Sequence, residues 1–214
     1  SNTFQNDVLP TSTEQNVYGG IYREAELILT ERTAISPLYL GSDGVLVHPQ
    51  TVGPEKVEGE IEVHITSKGD NSCTLNVDIT SPRGERVFSK RQKARLDGKP
   101  VSVAFSVDNP TLWSLRDPAL YTVTASIGED SITDRVAVRT GFRSIGASTA
   151  KGLTINGERT PVRGVTLYHD NALSGGTLTP EDYDADLQQI RDLGANALRS
   201  AVMPHACLLY TSDA

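Results

Sequence analysis

Sulfur and positive charge are what this chain has least of. Two cysteines, Cys73 and Cys207, and a single methionine are the whole sulfur content of 214 residues. Two cysteines this far apart build no disulfide framework, and they lack the clustered spacing that a zinc site requires. Cys73 shares an alternating face with Leu75, Val77 and Ile79, so it is expected to be a buried structural thiol. The 20 Lys and Arg stand against 27 Asp and Glu, a net charge of −7. That excess repels phosphate backbones and argues against nucleic acid as a partner. No apolar run approaches the ~18 residues of a membrane span, and the opening residues carry no signal-like stretch. The chain is expected to be soluble, with no membrane partner and its compartment left open. Also missing are a Gly-rich phosphate loop, a Gly-X-Ser-X-Gly nucleophile elbow and a helical histidine pair at metal spacing. Those enzyme classes therefore have no foothold in the sequence.

What is present changes character along the chain. Residues 1–17 are crowded with Ser, Thr, Asn and Gln and have no period, so they show no face to bury. Alternation then begins: Ala25, Leu27 and Leu29; Ile61, Val63 and Ile65; Leu75, Val77 and Ile79; Val101, Val103, Phe105 and Val107; Tyr121, Val123, Ala125 and Ile127; Val136 and Val138. A period of two predicts half-buried strands. Turn signals separate them at Gly69-Asp70-Asn71, Pro82-Arg83-Gly84, Asp97-Gly98, Asn109-Pro110 and Gly128-Glu129-Asp130. About seven short strands without helical segments imply an antiparallel immunoglobulin-like sandwich.

After Arg143 the texture shifts. Leu153, Ile155 and Asn156-Gly157 predict a hairpin leading into an apolar strand over 162–167. Thr179 then stands as a helix cap before Pro180, with Glu181 and Asp182 in the first turn, Leu187, Ile190 and Leu193 at helical spacing, and Gly194 as the left-handed terminator. A strand over 195–200 completes a βαβ unit, which implies parallel pairing. The total length exceeds one typical domain and falls short of the ~250 residues of a whole (β/α)8 barrel, so one domain plus part of another is expected.

Four segments occur in a fixed order: Tyr18-Gly19-Gly20-Ile21-Tyr22-Arg23; Leu112-Trp113-Ser114 with Asp117-Pro118-Ala119-Leu120-Tyr121; Gly141-Phe142-Arg143-Ser144-Ile145 with Leu153-Thr154-Ile155-Asn156-Gly157 and Arg163-Gly164-Val165; and Asp186 through Leu193-Gly194-Ala195-Asn196-Ala197-Leu198-Arg199 to Pro204. Together they resemble glycoside hydrolase family 2, of the β-galactosidase kind. The resemblance implies a mainly β fold in which residues 1–20 end a sugar-binding jelly-roll domain and 21–143 form the immunoglobulin-like sandwich. Residues 144–206 would then begin the catalytic (β/α)8 barrel, and 207–214 are an unassigned tail. Most motif residues have plain structural readings: Trp113 in the core, Asp117-Pro118 and Asn156-Gly157 in turns, Arg143 in an ion pair at a domain interface.

In such barrels chemistry sits at the C-terminal ends of the strands. The resemblance therefore nominates Tyr168, His169 and Asp170 after the first barrel strand as sugar contacts. It nominates Arg199 on the second as support for the nucleophilic carboxylate. His169 and Asp170 have the alternative of pairing with each other in a loop. Arg199 has the alternative of a salt bridge in the barrel wall. Tyr168 departs from the family, which presents a histidine there, and Ala201-Val202-Met203-Pro204 replaces a Ser-His-Tyr-Pro run; His205 reads as a solvated loop histidine. Catalysis with retention needs two carboxylates roughly 5 Å apart. The resemblance puts both glutamates downstream of Ala214, so no catalytic residue is expected here and the chain is expected to be inactive alone. Glu181, Asp182, Asp184 and Asp186 read as a solvated helix face. No cofactor is expected in this stretch, and a divalent cation and a homo-oligomer belong to the full enzyme if anywhere. The implied substrate is a β-galactoside oligosaccharide or glycoconjugate. Two alternatives stand beside it: a β-glucuronidase or β-mannosidase relative, and a non-catalytic sandwich module for carbohydrate binding or spacing, with the residues after 150 as linker.

Overall fold

The computed structural model describes residues 20–21, 23, 25–201, 205–206 and 209. Tyr18, Gly19, Tyr22, residues 202–204, Cys207 and nearly all of the expected jelly-roll end and tail lie outside the described residues. Two compact units emerge, one over Ile28–Thr160 and one running from Pro161 together with residues up to Leu27.

The first unit contains β1 (Thr33–Ile35), β2 (Val45–Val52), β3 (Lys56–Val63), β4 (Ile65–Ser67), β5 (Ser72–Thr80) and β6 (Arg86–Arg95). It continues with β7 (Val101–Asp108), β8 (Tyr121–Ile127), β9 (Asp134–Thr140), β10 (Ile145–Ser148), β11 (Gly152–Ile155) and β12 (Glu158–Arg159). A three-stranded sheet in the order β2-β3-β7 and a four-stranded sheet in the order β6-β5-β8-β9 carry the core, with every pairing antiparallel. In β3, Val57, Ile61 and Val63 are buried while Lys56, Glu58 and Glu60 are exposed. A register slip of one residue would turn those three side chains to water, so the alternation specifies the pairing. One apolar cluster joins Val57, Ile61, Val103, Phe105 and Val107 of the first sheet to Leu75, Val77, Ile79, Tyr121, Val123 and Ile127 of the second. Each such side chain contributes about 1.5–3 kcal/mol on burial, which makes this cluster the main source of the sandwich's stability. The antiparallel immunoglobulin-like sandwich expected from the sequence is therefore present, and the turn signals all fall between strands.

Two local expectations are corrected. Ala25, Leu27 and Leu29 form no strand and are exposed; alternation marks a face, but a strand also needs a partner for its backbone groups. Strands β2 and β6 had no signal in the periodicity, because β2 contains Pro49 beside a bulge and β6 is largely exposed Arg, Lys and Ser. The hairpin β10–β11–β12 falls within the compact unit that runs to Thr160.

Its attachment explains why. The motif residues converge on Trp113, whose backbone N–H donates to the Phe142 carbonyl at 2.9 Å and whose carbonyl accepts from Asn156 Nδ2 at 2.9 Å. Asn156 also accepts from the Ser144 N–H at 3.0 Å, and it takes a positive φ of 51° that Asn tolerates. Gly141 lies flat against the indole: a Cβ there would come within 2.8 Å of Trp113 Cδ1. Arg143 places its guanidinium 4.8 Å from the Trp113 ring, a cation–π contact in place of the expected ion pair. Trp113 itself is half-buried; the core position belongs to Phe142, fully buried against Phe105 and Tyr121. Cys73 is half-buried against the core, and burial raises its thiol pKa, as a structural cysteine requires.

The second unit contains β13 (Gly164–Leu167), α1 (Pro180–Asp192) and β14 (Ala197–Ser200). The strands pair in parallel, Gly164 with Ala197 through Leu167 with Ser200. Thr179 and Asp182 form a reciprocal capping box before Pro180. At the other end Gly194 takes a φ of 73°; its N–H donates to Arg191 and that of Ala195 to Ile190, which closes the orphan carbonyls of the last turn. The inward stripe differs from the expected one by a turn. Tyr183 is buried, with Asp186, Leu187 and Ile190 half-buried, while Leu193 is 77% exposed as the C-cap. No helix among the described residues is long and apolar enough to cross a membrane.

Candidate functional site

Parallel pairing brings the ends of β13 and β14 together. The Ala201 N–H donates to the Leu167 carbonyl, so the chain leaving β14 and the loop leaving β13 start side by side. Their beginnings are stapled as well. Asn196 accepts from the Arg163 N–H at 2.8 Å and donates to the Pro161 carbonyl at 2.8 Å, while Arg163 Nε donates to the Gly194 carbonyl at 2.8 Å. These motif residues therefore hold the two strands in register.

Strand alternation then assigns faces. Val165, Leu167, Leu198 and Ser200 are half-buried, whereas the cross-strand pair Thr166 and Arg199 is exposed on the opposite face. Arg199 thus has its guanidinium on an open polar face near the strand ends. Tyr168 is 43% exposed and Asp170 is exposed. His169, between them, is buried at 6% exposure and has both ring nitrogens engaged. Nε2 lies 2.9 Å from the Gly176 carbonyl and Nδ1 lies 2.8 Å from the Tyr183 hydroxyl. Burial first, then the Arg23 charge, pushes the His169 pKa below the ordinary histidine value, with Gly176 and Asp170 opposing and His205 adding to the depression. The Tyr183 hydroxyl is pushed up by burial.

The nominated residues are brought to one pair of strand ends, but not in equal roles. Tyr168, Asp170 and Arg199 are accessible; His169 is an internal group whose ring nitrogens face Gly176 and Tyr183. His205, expected to be solvated, is buried at 3% and sets its ring edge-on to His169 with centroids 5.6 Å apart. Tyr183 escaped the sequence reading, because an isolated aromatic early in a helix carries no motif. The acids of α1 differ among themselves: Asp182 is engaged by Thr179 and Asn171, burial and Asp182 raise the Asp186 pKa, and Asp184 is exposed. Among the described residues, no group of three or more His, Cys, Asp or Glu is arranged to hold a metal ion. A shallow cavity in the sandwich, lined by Tyr39, His64, Asp70 and Lys99 among others, contains none of the nominated residues.

Comparison with known proteins adds an independent line. Residues 45–143 match the family model described as Glycosyl hydrolases family 2. A β-glucuronidase of Bacteroides fragilis is 31% identical over 98% of this chain and 31% of its own length. The β-galactosidase BoGH2A of Bacteroides ovatus is 26% identical over 87% of this chain and 22% of its own. The crystal structure of a putative β-galactosidase from Bacteroides fragilis superposes with a TM-score of 0.80 at 28% identity, covering 85% of this chain and 28% of that one. The chain thus spans about a third or less of the length of these relatives.

Proposed function

The chain belongs to glycosyl hydrolases family 2 through residues 45–143, and on that premise we propose that it is part of a retaining enzyme that cleaves terminal β-galactosides. In this reading β13–α1–β14 opens a (β/α)8 barrel, the face bearing Thr166 and Arg199 turns to its interior, and the loop at Tyr168–Asp170 meets the sugar. The observation that carries it is the parallel pairing of β13 with β14, which sets that loop and the end of the Arg199 strand side by side. A linker after a binding module has no use for a capped helix between two registered parallel strands. Active sites of such barrels are built at the C-terminal strand ends.

The chemistry follows from retention. One carboxylate attacks the anomeric carbon while a second protonates the leaving oxygen, and the same acid then activates water against the glycosyl intermediate. Arg199 lowers the pKa of a neighbouring carboxylate and so keeps the nucleophile ionised, and Asp170 accepts hydrogen bonds from sugar hydroxyls. In this reading the two carboxylates lie outside the span of this chain.

A second reading, hydrolysis of β-glucuronides, is favoured by the likeness to the Bacteroides fragilis β-glucuronidase along 98% of the chain. Assaying the parent enzyme and the 214-residue chain side by side on nitrophenyl β-galactoside and β-glucuronide tests all of this. Turnover of the galactoside by the parent alone is expected. Preference for the glucuronide moves the assignment to the second reading. Turnover by the chain alone overturns the location of the acids, and no turnover of either sugar by the parent overturns the assignment.

A further inference from the structure

We infer that Tyr183 and His169 form an uncharged hydrogen-bonded pin that orders the loop after β13, the loop that meets the ligand, making His169 a positioning residue. Only the ligand's identity rests on the glycosidase reading; the pin stands on geometry.

Donor and acceptor bookkeeping settles the protons. The Gly176 carbonyl only accepts, so the His169 Nε2, at 2.9 Å, carries a hydrogen. In the neutral ring Nδ1 then offers a lone pair, and the Tyr183 hydroxyl, 2.8 Å away, donates to it. Two bonds therefore run in one direction, from Tyr183 O–H to His169 Nδ1 and from His169 Nε2–H to the Gly176 carbonyl. Burial, the Arg23 charge and His205 oppose a second proton on the ring, while the Gly176 hydrogen bond and Asp170 favour it. With both nitrogens engaged and 6% of its surface exposed, His169 has nothing left to offer a ligand.

The neighbour on the other side of Asp170 is pinned as well. Asn171 Nδ2 donates to Asp182 Oδ1 at 3.0 Å, and its Oδ1 accepts from the Leu173 N–H at 2.8 Å. Its backbone exchanges two hydrogen bonds with Gly175, at 2.9 and 2.8 Å. Both pins, Tyr183 and Asp182, come from the first turns of α1. Asp170, exposed between two anchored residues, has its backbone held from both sides. A loop held at both neighbours of Asp170 is pre-ordered, which lowers the entropy lost when it meets a ligand.

The test is long-range proton–nitrogen NMR of the histidine rings in the labelled 214-residue chain and in Tyr183→Phe, with amide exchange over 168–175. The unsubstituted chain is expected to show His169 as one Nε2–H tautomer at neutral pH. Tyr183→Phe is expected to move the Nδ1 resonance and to speed amide exchange around Asp170 about tenfold, the scale of one lost hydrogen bond. An Nδ1–H tautomer or an imidazolium in the unsubstituted chain overturns the inference, and that reading stands even where the variant does not fold. Unchanged ring and loop signals in a folded variant overturn it equally. No sugar enters the measurement, so its failure is distinct from failure of the glycosidase reading.

Discussion

The two units bury different chemistry. In the sandwich, Ile61, Leu75, Ile79, Ile127, Phe142 and a set of valines are fully buried, and Tyr121, at 2% exposure, is the one ionisable side chain buried there among the described residues. From Pro161 onward the buried residues are Tyr183, His169, His205, Ala201 and Leu209, while Val162, Leu173 and Leu193 are 56, 98 and 77% exposed. One region is organised by area removed from water; the other is organised by hydrogen bonds that need a particular partner in a particular protonation state. A hydrophobic core tolerates any apolar neighbour of the right volume, whereas a pinned histidine tolerates almost no substitution of its donor. The lesson is that the scaffold is robust where the chain carries no chemistry and exacting where it approaches the strand ends.

The largest effect that would break this contrast lies in the core. Phe142→Ala removes the ring packed on Phe105 and Tyr121 and is expected to cost about 3–5 kcal/mol in a denaturant titration. Hydrogen exchange should show the loss over Ile28–Thr160; an equal loss of protection in α1 would break the division into two differently built regions. Gly141→Ala comes next, since its Cβ would press on Trp113 at 2.8 Å. It is expected to cost about 1–3 kcal/mol and to shift the emission of the single tryptophan. Unaltered fluorescence would mean that the indole does not rest on that backbone. The smallest effect sharpens the other side: Thr179→Ala removes one half of the capping box and is expected to lower the local stability of α1 by about 1 kcal/mol. That loss should appear as faster amide exchange in the first turn of α1, with the sandwich transition unchanged.

How far the chain could be read in advance follows the same divide. Strands β3, β5, β7 and β8 were legible because they lie in the sheets' interiors or face the core, where burial forces alternation. Strands β2 and β6 were not, since β2 is interrupted by Pro49 and a bulge and β6 carries the polar residues that keep other chains from adding to it, whereas the edge strands β7 and β9 keep an alternating apolar face. The cap residues Thr179 and Gly194 were legible because capping is local, involving atoms three or four residues apart. The candidate site was half legible. The strand-end positions of Tyr168, Asp170 and Arg199 followed from the βαβ order, but the partner of His169 sits 14 residues away on a different element.

By itself, the sequence determined that this protein has an antiparallel sandwich followed by a parallel βαβ segment with a well-capped helix, since periodicity and capping are written in near neighbours. Only the tertiary structure decided that Trp113 clamps the hairpin, that Arg143 stacks rather than pairs, and that His169 faces Tyr183 rather than solvent. The physical reason is that a local pattern specifies which face of an element leaves water, whereas the partner of a buried polar group is chosen by how distant elements come together.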